Sequence, residues 1–289
     1  MAKTVDTFIA FGADIFALER MMRLLQAIAL ILTSYTSLLA LLQPPSAGAA
    51  QHLATRATLL ALQDWLNVTR RSLRTFWFLR AFDSSYARFR QAGPLLGAEA
   101  LLDVVAGSLL GVFGLLETAT LPDMLGIPGL AVFGPGPARR LNEQAQLCWL
   151  LALLAAVLAA GVRVCQLWAE RAVPAPADFG EGKEKEEKEE GEEEEEEVKG
   201  GKDGLVKKKK KKREVQEKRR RDKEEAARKT KAEIAALSVK MVNDTLDMVI
   251  PANFCGWSNF HPGQVGVAMA VTSWITLRGH WERCGRAVQ

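Results

Sequence analysis

Phe8, Phe11, Ile15, Leu18, Met22 and Leu25 recur at steps of three and four residues, with Asp14, Glu19, Arg20 and Arg23 on other positions. That period predicts an amphipathic helix from Val5 to Leu42, stopped by Pro44 and Pro45 in "QPPSAGAA". A second helical segment runs from about Gln51 to Arg90 and closes at Gly93-Pro94. Three apolar runs follow. Leu101 to Leu121 is long enough to cross a bilayer, but its charge-free core between Asp103 and Glu117 is only about thirteen residues. Ala145 to Trp168 is stronger, with roughly eighteen apolar residues before Arg163 and a tryptophan near each end, Trp149 and Trp168. Gln264 to Leu277 is short, and reads as a re-entrant or tightly packed helix as readily as a span.

The pattern breaks between Pro174 and Arg221, where acidic residues come first and basic ones second. This tract holds too little apolar surface to offset ordering entropy and is expected to be disordered. The stretch from Asp178 to Lys231 carries about 40 of the chain's 72 charges, so the rest is far more apolar than the overall 48% hydrophobic content suggests. From Lys223 helix-forming residues return, and Ile234, Leu237, Met241, Leu246 and Ile250 give an apolar face ending before Pro251. The fold class expected is all-α, a membrane-embedded helical protein. It comprises N-terminal amphipathic helices, two or three apolar membrane helices and a disordered charged insertion. The domain division that follows is 1–93, 94–173, 174–222 and 223–289.

A net charge of +4 over 289 residues gives little general attraction to nucleic acid, and no nucleic-acid partner is expected. The four cysteines, Cys148, Cys165, Cys255 and Cys284, form no CxxC pair, which argues against a disulfide framework or zinc knuckle. The N-terminal residues carry Asp6, Asp14 and Glu19 where a secretory segment needs an uninterrupted apolar run, so they read as mature sequence. His52, His261 and His280 are far apart, no GxSxG or glycine-rich phosphate loop is present, and the densest carboxylates lie in the charged tract. Neither catalysis nor a cofactor is expected. His280 and Cys284 share a helix face at i, i+4, but two further metal ligands are missing. Gly107 and Gly111 form a GxxxG pair, with Gly114 beyond, that suits a close helix contact.

The stretch "VTRRSLRTFWFLRAF" mixes arginines with aromatics. On a helical wheel Leu59, Leu62, Trp65, Leu66, Leu73, Phe76 and Trp77 share one arc with Thr69. Arg70, Arg71 and Arg74 lie with Gln63 on the flank and opposite side, whereas Phe78 and Phe82 fall among the arginines and Arg80 falls in the apolar arc. A single-strand nucleic-acid surface would want aromatics and cations on one face. Two arrangements satisfy the segregation equally: apolar residues inserted below lipid headgroups, or the same residues packed on neighbouring spans.

Several stretches together resemble the peroxisomal membrane-elongation family, the peroxin-eleven proteins, in their fungal form. They are "ALERMMRLLQAIALIL", "TRRSLRTFWFLRAF", "FDSSYARF", "LNEQAQLCWLLALL", "VNDTLDMVIPANFCGW" and "VGVAMAVTSWITLRGHW", in that order. The long Glu/Lys tract, the Gly/Pro-rich "LPDMLGIPGLAVFGPGP" and the lack of aromatics after "NE" depart from the family's pattern. The resemblance implies an integral peroxisomal membrane protein that tubulates the membrane before fission, works as a homo-oligomer and recruits fission machinery. It also implies a membrane-binding helix from Leu59 to Arg80. In it Arg70, Arg71, Arg74 and Arg80 would sit at phosphate level, preferentially on anionic lipid, and Leu62, Leu66, Leu73, Phe76 and Trp77 would form the wedge. A hairpin of the two longer apolar runs would place the Arg-rich helix and the lysine tract in the cytosol. A third crossing would export Arg283 and Arg286, which favours a re-entrant or membrane-packed C-terminal helix. Two other classes fit: a small-metabolite channel, since Asp103, Glu117 and Arg163 border apolar runs, and an adaptor or tether docking through the charged tract.

The charged tract is expected to be dispensable for targeting. A chain lacking Glu181 to Lys212 should still reach the membrane in a localisation assay, and loss of targeting would identify the lysine run as an address.

Overall fold

The computed structural model describes residues 2–44, 48–93, 97–172 and 202–288. Among them every regular element is helical and none is a strand, as the periodicity predicts. In chain order the helices are α1 (Ala2–Ala13), α2 (Ile15–Ser34), α3 (Thr36–Leu42), α4 (Ala49–Leu73) and α5 (Trp77–Ala92). They continue with α6 (Ala98–Ala119), α7 (Leu121–Met124), α8 (Pro135–Ala172), α9 (Lys202–Phe254) and α10 (Pro262–Ala287). The chain divides into two compact units, one of Met1–Ala160 with Lys240–Gln289 and one of Gly161–Val239.

In the first unit the expected helix from Val5 to Leu42 is interrupted twice. Asp14 caps α2, its carboxylate accepting the Phe16 N–H at 3.0 Å, which satisfies one of the orphan donors of a helix start. At Tyr35 the chain bends by 103° between α2 and α3. The tyrosine ring stacks at 5.3 Å on His261, the N-cap residue of α10. Along this joint α2 and α10 pack through small residues: Ala17 and Ala27 are fully buried on one side, and Gly266 and Ala268 are buried on the other. A Cβ at Gly266 would come within 3.3 Å of the Ala27 carbonyl, so this backbone approach requires glycine. The short run from Gln264 to Leu277 is thus the middle of a packed helix, α10.

The second segment, expected as one helix from Gln51 to Arg90, is also two. Residues 74–76 form a turn between α4 and α5. Thr118, at the end of α6, donates its hydroxyl to the Thr75 carbonyl at 2.7 Å. The side chain of another helix thereby supplies a partner that the helical ladder would otherwise have supplied. Beyond the turn α5 lies along α6, with Phe78, Phe82 and Ser85 against Gly114, Gly111 and Gly107. The GxxxG pair therefore serves a contact within the chain.

Two helices are long and apolar enough to cross a membrane, α6 and the part of α8 covering Pro135–Ala169; α2 and α3 would make a third if counted as one bent span. Phe113 stacks on Trp149 at 5.4 Å, while Arg71 touches both Glu117 and Asn142. Later residues of α6 thus meet earlier ones of α8, the order of an antiparallel pair. The Gly/Pro-rich connection is held by Asp123, which accepts from the N–H groups of Val132, Phe133 and Gly134 at 3.3, 3.0 and 2.8 Å. Gly134, at φ 79°, takes a conformation that a side chain would strain.

The second unit contains the end of α8 and most of α9. Arg163 pairs with Glu233 at 3.3 Å. Of the expected disordered tract, 173–201 lies outside the described residues. The helix expected from Lys223 begins at Lys202. Lysine, arginine and glutamate are strong helix formers, and pairs such as Arg220–Glu224 and Lys229–Glu225 stand at the supporting i, i+4 spacing.

The glycine groove gives a direct test. At Gly111 a Cβ would fall 2.5 Å from the Phe82 ring, so Gly111→Leu should destabilise by about 1–3 kcal/mol. Combining it with Phe82→Ala should restore part of that loss. Thermal melting of the detergent-purified protein measures both, and additive losses would refute the contact.

Candidate functional site

The two faces of α4 are used the opposite way from a soluble helix. Its polar face is turned inward, where Gln63 donates to Thr33 at 3.0 Å and Arg70 meets Gln26 and Glu19. Its apolar face is outward, with Trp65 62% exposed. The stripe continues through the turn at Phe76, 70% exposed, onto α5 at Leu79, 56% exposed, followed by Tyr86 and Phe89.

Of the residues expected to bind membrane, Leu62 and Phe76 lie on this outer face. Leu59, Leu73 and Trp77 are half-buried, and Trp77 stacks at 4.5 Å on Phe16. Leu66 is buried. Arg80 is exposed, with its guanidinium 5.4 Å above the Phe16 ring. The continuous wedge from Leu59 to Arg80 is corrected by the turn at 74–76. Arg70 and Arg71, expected at headgroup level, lie in the interior of the fold, each 7% exposed. The aromatics that broke the wheel, Phe78 and Phe82, are those that fill the α6 groove.

The buried arginines belong to one network. Glu19, fully buried, accepts from Arg70 at 2.7 Å and lies 3.5 Å from Arg74. Arg74 also pairs with Glu117 at 2.8 Å, and Arg71 stands 3.4 Å from the same carboxylate. Arg71 further donates to Asn142 at 3.1 Å. Arg23 pairs through both terminal nitrogens with Asp247 of α9. Burial lowers the pKa of Arg70 and of Arg71, opposed by Glu19 and Glu117 respectively. Burial also raises the pKa of Asp244, with Lys240 opposing it. Buried charges of this kind persist only when paired, and the pairs tie α2, α4, α6 and α9 together.

The carboxylates were the part of the site that sequence reading missed. Glu19 stood out only as a charge on a helix rich in apolar residues, and Glu117 as a charge ending an apolar run. Their common partner arginines are more than forty residues away. The ionisable residues that suggested a pathway also have opposite charges beside them. Asp103 pairs with Arg88 at 3.1 Å, Glu117 with Arg74 and Arg163 with Glu233.

The family model of Peroxisomal biogenesis factor 11 (PEX11) matches residues 5–281. The chain belongs to this family. It is a peroxisomal membrane protein involved in peroxisome proliferation. No curated protein and no solved structure matches it. The match takes in both the inward-facing arginines and the outward-facing aromatics of this family member.

Removing one charge from the network should be far more damaging than removing a pair. Glu19→Gln leaves Arg70 without its carboxylate and is expected to cost about 3–5 kcal/mol. Glu19→Met with Arg70→Leu should lose less than either single change, read as melting temperature in detergent. Equal and additive losses would show that the two charges act independently.

Proposed function

We propose that the chain elongates the peroxisomal membrane before fission by inserting the outer apolar face of α4 and α5, Leu62, Trp65, Phe76 and Leu79, into one leaflet. The observation that carries this reading is the exposure of that face beside helices long enough to span. In water such a surface is an aggregation liability, whereas at a bilayer it is solvated by acyl chains. Insertion into one leaflet expands it relative to the other and favours positive curvature. Arg70, Arg71 and Arg74 act at one remove in this mechanism, by holding α4 to α2 and α6 so that the apolar face points outward. Arg80, at the surface, supplies preference for anionic headgroups. The α4–α5 face is assigned to the cytosolic side, and self-association and recruitment of fission machinery follow as proposals from the family resemblance.

Full-length protein carrying Trp65→Ser with Phe76→Ser should fold normally, since both side chains are largely exposed. It should still reach peroxisomes but fail to elongate them on overexpression. Reconstituted into vesicles, the unaltered protein should tubulate anionic ones far more than neutral ones, and the double variant neither. Unchanged elongation by the variant at equal abundance would refute insertion of this face.

A further inference from the structure

Behind the arginine network lies a cleft of about 390 Å³, within the roughly 300–1,000 Å³ range of small-molecule sites. It is amphipathic. Its lining combines Arg20, Arg23, Arg70, Arg74 and Arg80 with Leu110, Phe113, Trp149 and Leu153 of the two spanning-length helices.

The charges in and behind the lining do not cancel. Six arginines, counting Arg71 behind the lining, face the carboxylates of Glu19, Glu117, Asp244 and Asp247. Arg23 and Arg70 are engaged by Asp247 and Glu19. Three cations keep donors in reserve. Arg20 reaches Glu19 only through Nε, at 3.4 Å. Arg80 rests on the Phe16 ring, and no carboxylate pairs with it among the described residues. Arg74 has a buried Nε without a hydrogen-bond partner. A buried donor left unmatched calls for a partner, such as a water or an anion, and guanidinium groups match phosphate oxygens in both geometry and charge.

We infer that this cleft binds a single anionic phospholipid, its phosphate held by Arg20, Arg74 and Arg80 and its acyl end lying along Leu110, Phe113 and Leu153. Arginines outnumber carboxylates here even before Lys240, the partner of Asp244, is counted, and this suits a dianionic phosphomonoester headgroup better than a singly charged diester. The apolar lining residues favour a lipid over a soluble phosphate. This site goes beyond the proposed wedge; it shares Arg80 with it but none of its inserted apolar side chains, since neither Trp65 nor Phe76 lines the cleft.

Native mass spectrometry of the full-length protein, released from detergent after incubation with phosphatidic acid or phosphatidylcholine, tests the assignment. One phosphatidic acid per chain should be retained, at about a tenfold lower lipid concentration than phosphatidylcholine requires, which corresponds to about 1.4 kcal/mol. Arg80→Gln and Arg20→Gln should each weaken retention severalfold, with helicity by circular dichroism confirming that the chain is folded. Arg80 is at the exposed rim, so its loss leaves the buried pairs intact. Leu110→Trp should block the lipid by filling the space beside Phe113 and Leu153. Glycerol 3-phosphate, read by thermal shift, is the soluble arm, and it should raise the melting temperature little in the unaltered protein.

Equal retention of the two lipids, or undiminished retention by folded Arg20→Gln and Arg80→Gln, would overturn the site. A strong glycerol 3-phosphate shift insensitive to Leu110→Trp would overturn the lipid assignment in favour of a free phosphate. Phe76→Ser should leave the adduct intact, so failure of the wedge and failure of the cleft are told apart.

Discussion

Glu19 sits fully buried among helices whose outer surfaces are apolar, and the arrangement of the first unit follows from the need to neutralise it. A carboxylate removed from water is tolerated only with charge and donors close by. Arg70 and Arg74 meet that need from α4 and from the turn that follows it, and Arg74 extends the pairing to Glu117 on α6. The same side chains therefore fix three helices at once. Buried pairing of this sort gives less net stability than geometric definition, because each partner is costly to leave alone.

That definition decides which way α4 faces. With Gln63 and Arg70 drawn inward, Leu62 and Trp65 are left outside. The turn at 74–76 then rotates the chain so that α5 can lay Phe78, Phe82 and Ser85 into the glycine groove of α6 while Leu79, Tyr86 and Phe89 remain exposed. An inside-out pair of amphipathic helices is poorly suited to water and well suited to a bilayer, where apolar surface need not be hidden and charge must be. The proposed curvature mechanism draws on the exposed half of this arrangement, and the proposed phosphate cleft on the hidden half.

How much of this could be read in advance varies from residue to residue. The all-helical architecture and the spanning length of Ala98–Ala119 and Pro135–Ala169 follow from local periodicity and run length. The family was legible in the order of its degenerate motifs, and the family model agrees over 5–281. The segregation of Leu62, Trp65 and Phe76 from Arg70, Arg71 and Arg74 was legible on a wheel as well. Which face met protein was not, because a wheel carries no information about the neighbours. Phe78 and Phe82 looked misplaced for the same reason: their partners, Gly114 and Gly111, come from another helix.

Sequence by itself determined that the chain is helical, that it carries membrane-length apolar runs, that Arg70, Arg71 and Arg74 separate from the apolar arc of Leu62, Trp65 and Phe76, and that the family is that of a peroxisome biogenesis factor. These depend on interactions within a few residues along the chain, or on composition over a window. Tertiary structure decided where helices stop without glycine or proline, at Tyr35 and at Arg74 to Phe76. It decided which carboxylates neutralise which arginines, and whether a glycine pair meets its own chain. Those outcomes turn on contacts such as Thr118 to Thr75 and Arg70 to Glu19, 43 and 51 residues apart. Burial makes an unpaired charge or carbonyl costly wherever its partner lies in the chain, so only the folded arrangement fixes the choice.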